Sequence, residues 1–274
     1  MIKDLVVNLS VADGHDPAAE FALSVGSAFG SHVLGMAFAY AYTPPYPEAA
    51  GFGWTDLFET MQKDAQDAAQ NAVDRFARAA PPAPAVETYI PTATVFDAGR
   101  VFSAAARRFD LSVVLQPRPD GVREGAILDG ALFDTGRPTL VIPYIQKHGL
   151  TLNRVLICWD GSRAAARAVG DAMPFLVRAK EVTILTDSKG MKTDDLPAAD
   201  IATHLARHDV RAEIESLVLS DIDVADAALS HAVDISADMI VMGAYGHTKV
   251  REFLLGGTTR KMLGEMTIPV LMSH

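Results

Sequence analysis

The sequence predicts an α/β protein in which one architecture is written twice, and three observations carry that prediction. Apolar runs rich in β-branched residues alternate with longer helical patterns along the whole chain, the sequence form of βαβ units around a parallel sheet. Segments of the two halves match: residues 5–10 lie on 155–160, 110–115 on 237–242 and 137–142 on 268–273. Finally, 274 residues suit two domains of ~100 to 150 residues, although a single barrel of ~250 residues is also of this size.

The elements follow in order. Residues 5–9 read as a buried strand, 17–29 as a helix through Phe21, Leu23, Val25 and Phe29, and 32–40 as a second strand. A Pro- and Gly-rich loop over 43–54 precedes a long amphipathic helix with Leu57, Met61, Ala65, Ala68, Ala72 and Phe76 at helical spacing, stopped by the prolines of 81–84. Then come a strand at 86–89, a helix over 101–109, a strand at 111–115 and a last strand at 139–142. The second half reads as strand 155–159, helix 163–178, strand 182–185, helix 198–207, strand 210–217, helix 224–233, strand 239–242, helix 259–265 and strand 269–272. Each half therefore has five strands, and the expected domains are 1–146 and 150–274. The junction, 144–152, is too short for a flexible tether, so close packing of the halves is expected.

Composition narrows the function. The formal charge of -10, from 24 basic and 34 acidic residues, repels a polyanion, so no nucleic-acid partner is expected. The charge is shared: residues 1–147 hold 11 basic and 17 acidic side chains, and the rest 13 and 17. A lone cysteine, Cys158, excludes an internal disulfide or a CxxC site and reads as a small buried hydrophobe. There is no signal-peptide pattern and no uncharged apolar run approaching ~18 residues. A soluble, cytoplasmic protein with no membrane partner is the expectation.

No GxxxxGK[ST] loop, GxGxxG fingerprint or GxSxG elbow is present. The informative stretch is Gly243-Ala-Tyr-Gly246, nine residues, then Gly256-Gly257-Thr258-Thr259-Arg260-Lys261, which follows a strand and ends on a helix start. Ligands of parallel α/β sheets sit at the carboxyl ends of strands, where glycines let backbone N–H groups approach phosphate oxygens and the helix dipole adds positive potential. Thr258 or Thr259 can cap the helix or donate a hydroxyl. Arg260 and Lys261 in a first helical turn are disfavoured by ~0.3 to 1 kcal/mol unless an anion compensates. With Lys249 and Arg251 they make four cations against Glu252 alone between 247 and 261. Spacing by itself does not separate a phosphate cradle from a plain turn with an N-cap.

Gly243-x2-Gly246-x9-Gly256 after a strand ending Val241-Met242, with Asp160-Gly161-Ser162 closing the first strand of the same half, resembles the universal stress protein family. The resemblance covers the second half and, through the repeat, extends to the first. It implies two flavodoxin-like domains of the adenine nucleotide alpha hydrolase type, each a five-stranded parallel sheet with helices on both faces, paired through their last strands as an internal pseudo-dimer. It further implies ATP or a related adenine nucleotide, with or without Mg2+, as ligand. Asp160 would contact the adenosine part, Met242, Gly243 and Gly246 would line the ribose and phosphates, and Gly256, Gly257, Thr258 and Thr259 would hold the triphosphate. His247 is a further candidate for a phosphate contact. The family has Ser or Thr directly after the last glycine where this chain has Gly257.

The first half departs further. By the strand match Ser10 stands at Asp160, and Gln116 and Pro119 stand at Gly243 and Gly246; from Pro119 to Pro138 is 19 positions against 23 from Gly246 to Pro269. Proline has no N–H for a phosphate, so this half is expected to bind no nucleotide and to act as a packing partner. His204 and His208 at i, i+4 lack a third ligand, so no metal site is expected. Trp159 is either an adenine wall or core. Asp13 and His15, near the tip of the first strand, have no serine to complete a triad and read as solvated loop. No catalytic base is identifiable, so hydrolysis would be weak at most. The expected role is a regulatory or protective one in stress response, with an interaction scaffold or a slow ATP-hydrolysing enzyme as alternatives, and with a homodimer consistent with exposed sheet edges.

Overall fold

The structure is a computed structural model that describes residues 1–42, 54–83, 85–119, 121–187, 196–217, 223–244 and 257–274. By contacts the chain divides into one unit of Ile2–Arg137 with Lys147–Gly149 and another of Met1, Pro138–Gln146 and Leu150–His274.

In the first unit, strands β1 (Asp4–Asn8), β2 (His32–Met36), β4 (Val86–Tyr89) and β6 (Leu111–Leu115) form a parallel sheet in the order β6-β1-β2-β4. β1 and β6 are buried on both faces and rich in Val and Leu, as a covered parallel sheet requires. β4 is exposed along most of its length and carries Glu87, a charge that discourages further strand pairing. The segment read as one strand over 32–40 ends at Met36, and Ala39–Tyr40 (β3) pairs instead with Thr92–Ala93 (β5) as a separate ribbon. Pro91, lacking an N–H, interrupts the ladder between the two pieces.

Helix α1 (Pro17–Phe29) has the expected bounds. Asp16 caps it, Pro17 occupies its first turn and Gly30 ends it at φ 63°, a left-handed conformation suited to glycine. α2 (Trp54–Ala79) is the long amphipathic helix. α3 (Val95–Ala106) starts six residues before the expected 101. The overlooked signal was Thr94-x-x-Asp97: Thr94 Oγ1 accepts from Asp97 N at 3.2 Å and donates to Asp97 Oδ2 at 2.9 Å.

A helix absent from the sequence expectation, α4 (Val122–Asp134), packs on α3. Gly125 and Gly130 lower its intrinsic propensity, yet Gly130 and Gly99 of α3, which meet at the crossing, have a packing reason. A Cβ on Gly99 would overlap the Ala126 carbonyl oxygen, and one on Gly130 would overlap that of Gly99.

The second unit contains β8 (Arg154–Trp159), β9 (Glu181–Asp187), β10 (Ala212–Leu217), β11 (Met239–Gly243) and β12 (Val270–Ser273) in the parallel order β10-β9-β8-β11-β12. Its helices are α5 (Arg163–Leu176), α6 (Ala198–Ala206), α7 (Val224–Asp234) and α8 (Gly257–Glu265). β7 (Thr139–Ile142) runs antiparallel to β12, with Leu140 opposite Leu271. The pairing of last strands is the expected one. The strand read with the first half nevertheless groups with the second unit, because its ladder partner β12 lies there.

The two units share a local device. Asp110 Oδ2 accepts from the N–H groups of Lys3 (2.8 Å) and Asp4 (3.2 Å), while Asp238 Oδ2 accepts from those of Asn153 and Arg154 (2.9 Å). Val7 accordingly faces Val113 and Ile157 faces Val241. Superposing the clasps moves the sequence match by one residue: Leu115, not Gln116, occupies the place of Gly243. The apolar runs are uniform enough to slide by one, whereas the hydrogen-bonded aspartates are not.

Candidate functional site

Asp160 follows β8 at its carboxyl end, exposed to solvent, and its Oδ1 accepts from Ser162 N at 3.0 Å. Gly161 turns the chain at φ 75°. Ser162 then caps α5 by accepting from Ala165 N at 3.1 Å. The Asp-Gly-Ser sequence thus builds a tight strand-to-helix turn that presents a carboxylate at its apex.

β11 lies beside β8, with Met242 opposite Cys158, so Gly243 ends its strand next to this turn. A Cβ on Gly243 would stand 2.6 Å from Ala164 C and Ala165 N. Glycine is therefore required here by the approach of α5. Met242 is 7% exposed and belongs to the apolar interior. Ala244 N donates to Ser273 O at 2.8 Å, extending the ladder beyond Gly243.

Gly257 opens α8, with no neighbour among the described residues within 4 Å of an added Cβ. Thr258 is half-buried and Thr259 buried. Lys261 does not stand ready for an anionic ligand: its Nζ bonds Asp226 Oδ2 on α7 at 2.6 Å, which raises the Lys261 pKa. Because α8 begins at Gly257, Lys261 stands in its second turn and not in the expected first, and Asp226 is the anion that compensates it. The structure therefore brings Asp160, Met242 and Gly243 together and fixes Gly257, Thr258 and Thr259 at the start of α8. Gly246, His247 and Gly256, like Lys249 and Arg251, lie outside the described residues.

Other candidates resolve simply. Trp159 is 2% exposed, and its Nε1 donates to Leu196 O at 2.8 Å, so the indole is core that anchors a loop. Burial and then the charge of Asp160 push the Cys158 thiol up to about 12, leaving it protonated at neutral pH. The rings of His204 and His208 meet edge to face with centroids 4.8 Å apart. No helix among the described residues is long and apolar enough to cross a membrane.

The first unit has its own cavity at the corresponding strand ends, of about 60 Å³, lined in part by Asn8, Ser10, Tyr40, Arg123 and Glu124. The sequence expectation for this half contained none of these except Ser10, since Arg123 and Glu124 ride on the overlooked α4. The loop after β1 is fastened from behind: Arg75 donates to Ser10 O (3.0 Å) and Ala12 O (2.8 Å), while Asp16 accepts from Ser10 N (2.7 Å) and Ala19 N (3.1 Å). The Arg75 guanidinium also lies 3.7 Å from the exposed Asp13 carboxylate, and His15 pairs with Glu20 at 2.8 Å.

Burial raises the Asp16 pKa against the pull of these hydrogen bonds and of Arg75. A carboxyl whose folded pKa lies above 3.8 binds its proton more readily in the folded state, so its titration makes stability fall as pH rises through that window. Asp16→Ala removes two acceptors and is expected to lower stability by ~1 to 3 kcal/mol in urea unfolding at pH 7. It should also remove this part of the acid-side slope.

Residues 151–274 match the universal stress protein family model. The chain is 28% identical over 151 residues to universal stress protein Slr1230 of Synechocystis, a match covering 54% of this chain and only half the length of that relative. A universal stress protein from Archaeoglobus fulgidus has a similar fold, at TM-score 0.67 and 18% identity, over 98% of this chain and 95% of its own. So does a protein of unknown function from Pseudomonas aeruginosa PAO1, at TM-score 0.61 and 14% identity, over 99% and 92%. The fold is thus shared along the whole length, and residues 151–274 form a universal stress protein family domain.

Proposed function

We propose that the second unit binds ATP or a related adenine nucleotide, with Mg2+ accompanying the phosphates, and that the chain serves a regulatory or protective role in the cytoplasmic stress response. The observation that carries this reading is the exposed Asp160 carboxylate at the end of β8, beside the end of β11 at Gly243. The carboxylate suits a hydroxyl or amino donor of an adenosine. The N-terminus of α8, which begins Gly257-Thr258, suits phosphate oxygens.

A scaffold without nucleotide is the second reading, and particular observations favour it. Gly243 has a packing role, Lys261 is already paired, and Gly257 offers no hydroxyl. Isothermal titration of the full chain with ATP and Mg2+ decides between them. Micromolar binding weakened at least tenfold by Asp160→Ala, about 1.4 kcal/mol, supports the nucleotide reading. Absence of heat at millimolar ATP leaves the scaffold. Phosphate release should be slow or nil, since no general base stands at the start of α8 among the described residues. A homodimer belongs to the same proposal and is read by light scattering.

A further inference from the structure

The cavity of the first unit has the features of a built ligand site. Tyr40 lines it beside two charges: the Arg123 guanidinium lies 4.7 Å from the Tyr40 ring centroid, and the Glu124 charge also acts on the Tyr40 phenol. Asn8 lines the cavity although only 8% exposed, and its Oδ1 has no hydrogen-bond partner among the described residues. An unpaired buried amide oxygen costs ~1 to 3 kcal/mol, so a ligand donor that reaches it gains correspondingly. The clamps from Arg75 and Asp16 hold the β1 loop in place, which lowers the ordering cost of binding.

The dimensions and charges select the ligand class. On this measure one water needs ~10 to 15 Å³, so about 60 Å³ accommodates a handful of heavy atoms and not an adenine nucleotide, whose pockets run to ~300 Å³ and more. Among the described lining residues one guanidinium stands beside one carboxylate, which gives no net field for a polyanion. We propose that the first unit binds a small zwitterion of the α-amino acid class, its carboxylate on Arg123 and its ammonium between Glu124 and Asn8 Oδ1. The five heavy atoms of an amino acid head match the space. A guanidinium fork suits a carboxylate, and an ammonium brings the donors that Asn8 lacks. The Tyr40 phenol, pushed up to about 12 by burial, stays protonated and offers a donor to the ligand carboxylate. The side chain of the ligand would extend toward solvent, since the cavity is small.

Saturation-transfer NMR on the full chain, with each of the common L-amino acids at about 5 mM, a level that detects affinities near 1 mM, tests the proposal. At least one is expected to bind. Arg123→Gln and Glu124→Gln should each weaken it tenfold or more, and both stand in the solvent-accessible first turn of α4, where folding is expected to survive. Asp160→Ala should leave it unchanged, which separates this site from the nucleotide reading. Acetate or methylamine alone, each carrying half of the contacts, should bind more weakly than the whole. The proposal is overturned if no amino acid binds, if binding survives both α4 substitutions, or if ATP displaces the amino acid.

Discussion

Gly130→Ala is expected to destabilise the first unit by ~2 kcal/mol, although alanine is the better helix former. The added methyl would fall on the Gly99 carbonyl, with the Gly99 Cα 2.8 Å away. Relief requires the two helices to part, because the obstructing atoms are backbone and have no rotamer to change. Overpacking of this kind costs ~1 to 3 kcal/mol or more, against a propensity gain of ~1 kcal/mol. Gly125→Ala, in the same helix with nothing within 4 Å, supplies the control and should stabilise by ~0.5 to 1 kcal/mol. Urea unfolding of both variants measures the difference. Equal midpoints would show that α3 and α4 do not approach so closely.

Gly243→Ala should lower the stability of the second unit by ~1 to 3 kcal/mol in the absence of any nucleotide. Its methyl would meet the Ala164–Ala165 peptide at 2.6 Å, forcing α5 away from the end of β11. A motif glycine needed only for phosphate approach would leave the ligand-free protein unaffected, so differential scanning calorimetry without ATP separates the two roles. Gly257→Ala is the companion, since nothing among the described residues lies within 4 Å of its Cβ. It should leave the thermal midpoint within about 2 °C, a change under ~0.5 kcal/mol. Any loss of ATP binding in that variant then reports on the ligand alone.

These two glycines also show what could be read from residue order. Helix α1 was legible to its ends because Asp16, Pro17 and Gly30 state its bounds chemically. The buried strands were legible because covered parallel strands need uninterrupted apolar runs. Helix α4 was not, since Gly125 and Gly130 weaken local propensity and Gly130 acquires meaning only against α3. The same holds for the site. Asp160 could be found from a short local motif, but the pairing of Lys261 with Asp226 spans 35 positions, and the Arg123–Tyr40 stack depends on the overlooked helix. Local chemistry is written in neighbouring residues; which charge neutralises which is decided by tertiary packing.

The antiparallel partnership of β7 with β12 bears on how the chain can be divided. A fragment beginning at residue 150 would leave one side of β12 as a bare row of amides and carbonyls along Val270, Leu271 and Met272. Such an apolar edge invites self-association. A fragment beginning at residue 138 keeps β7 on β12 and so leaves Val270, Leu271 and Met272 paired, which makes the strand counted with the first half in the primary structure a component of the second module.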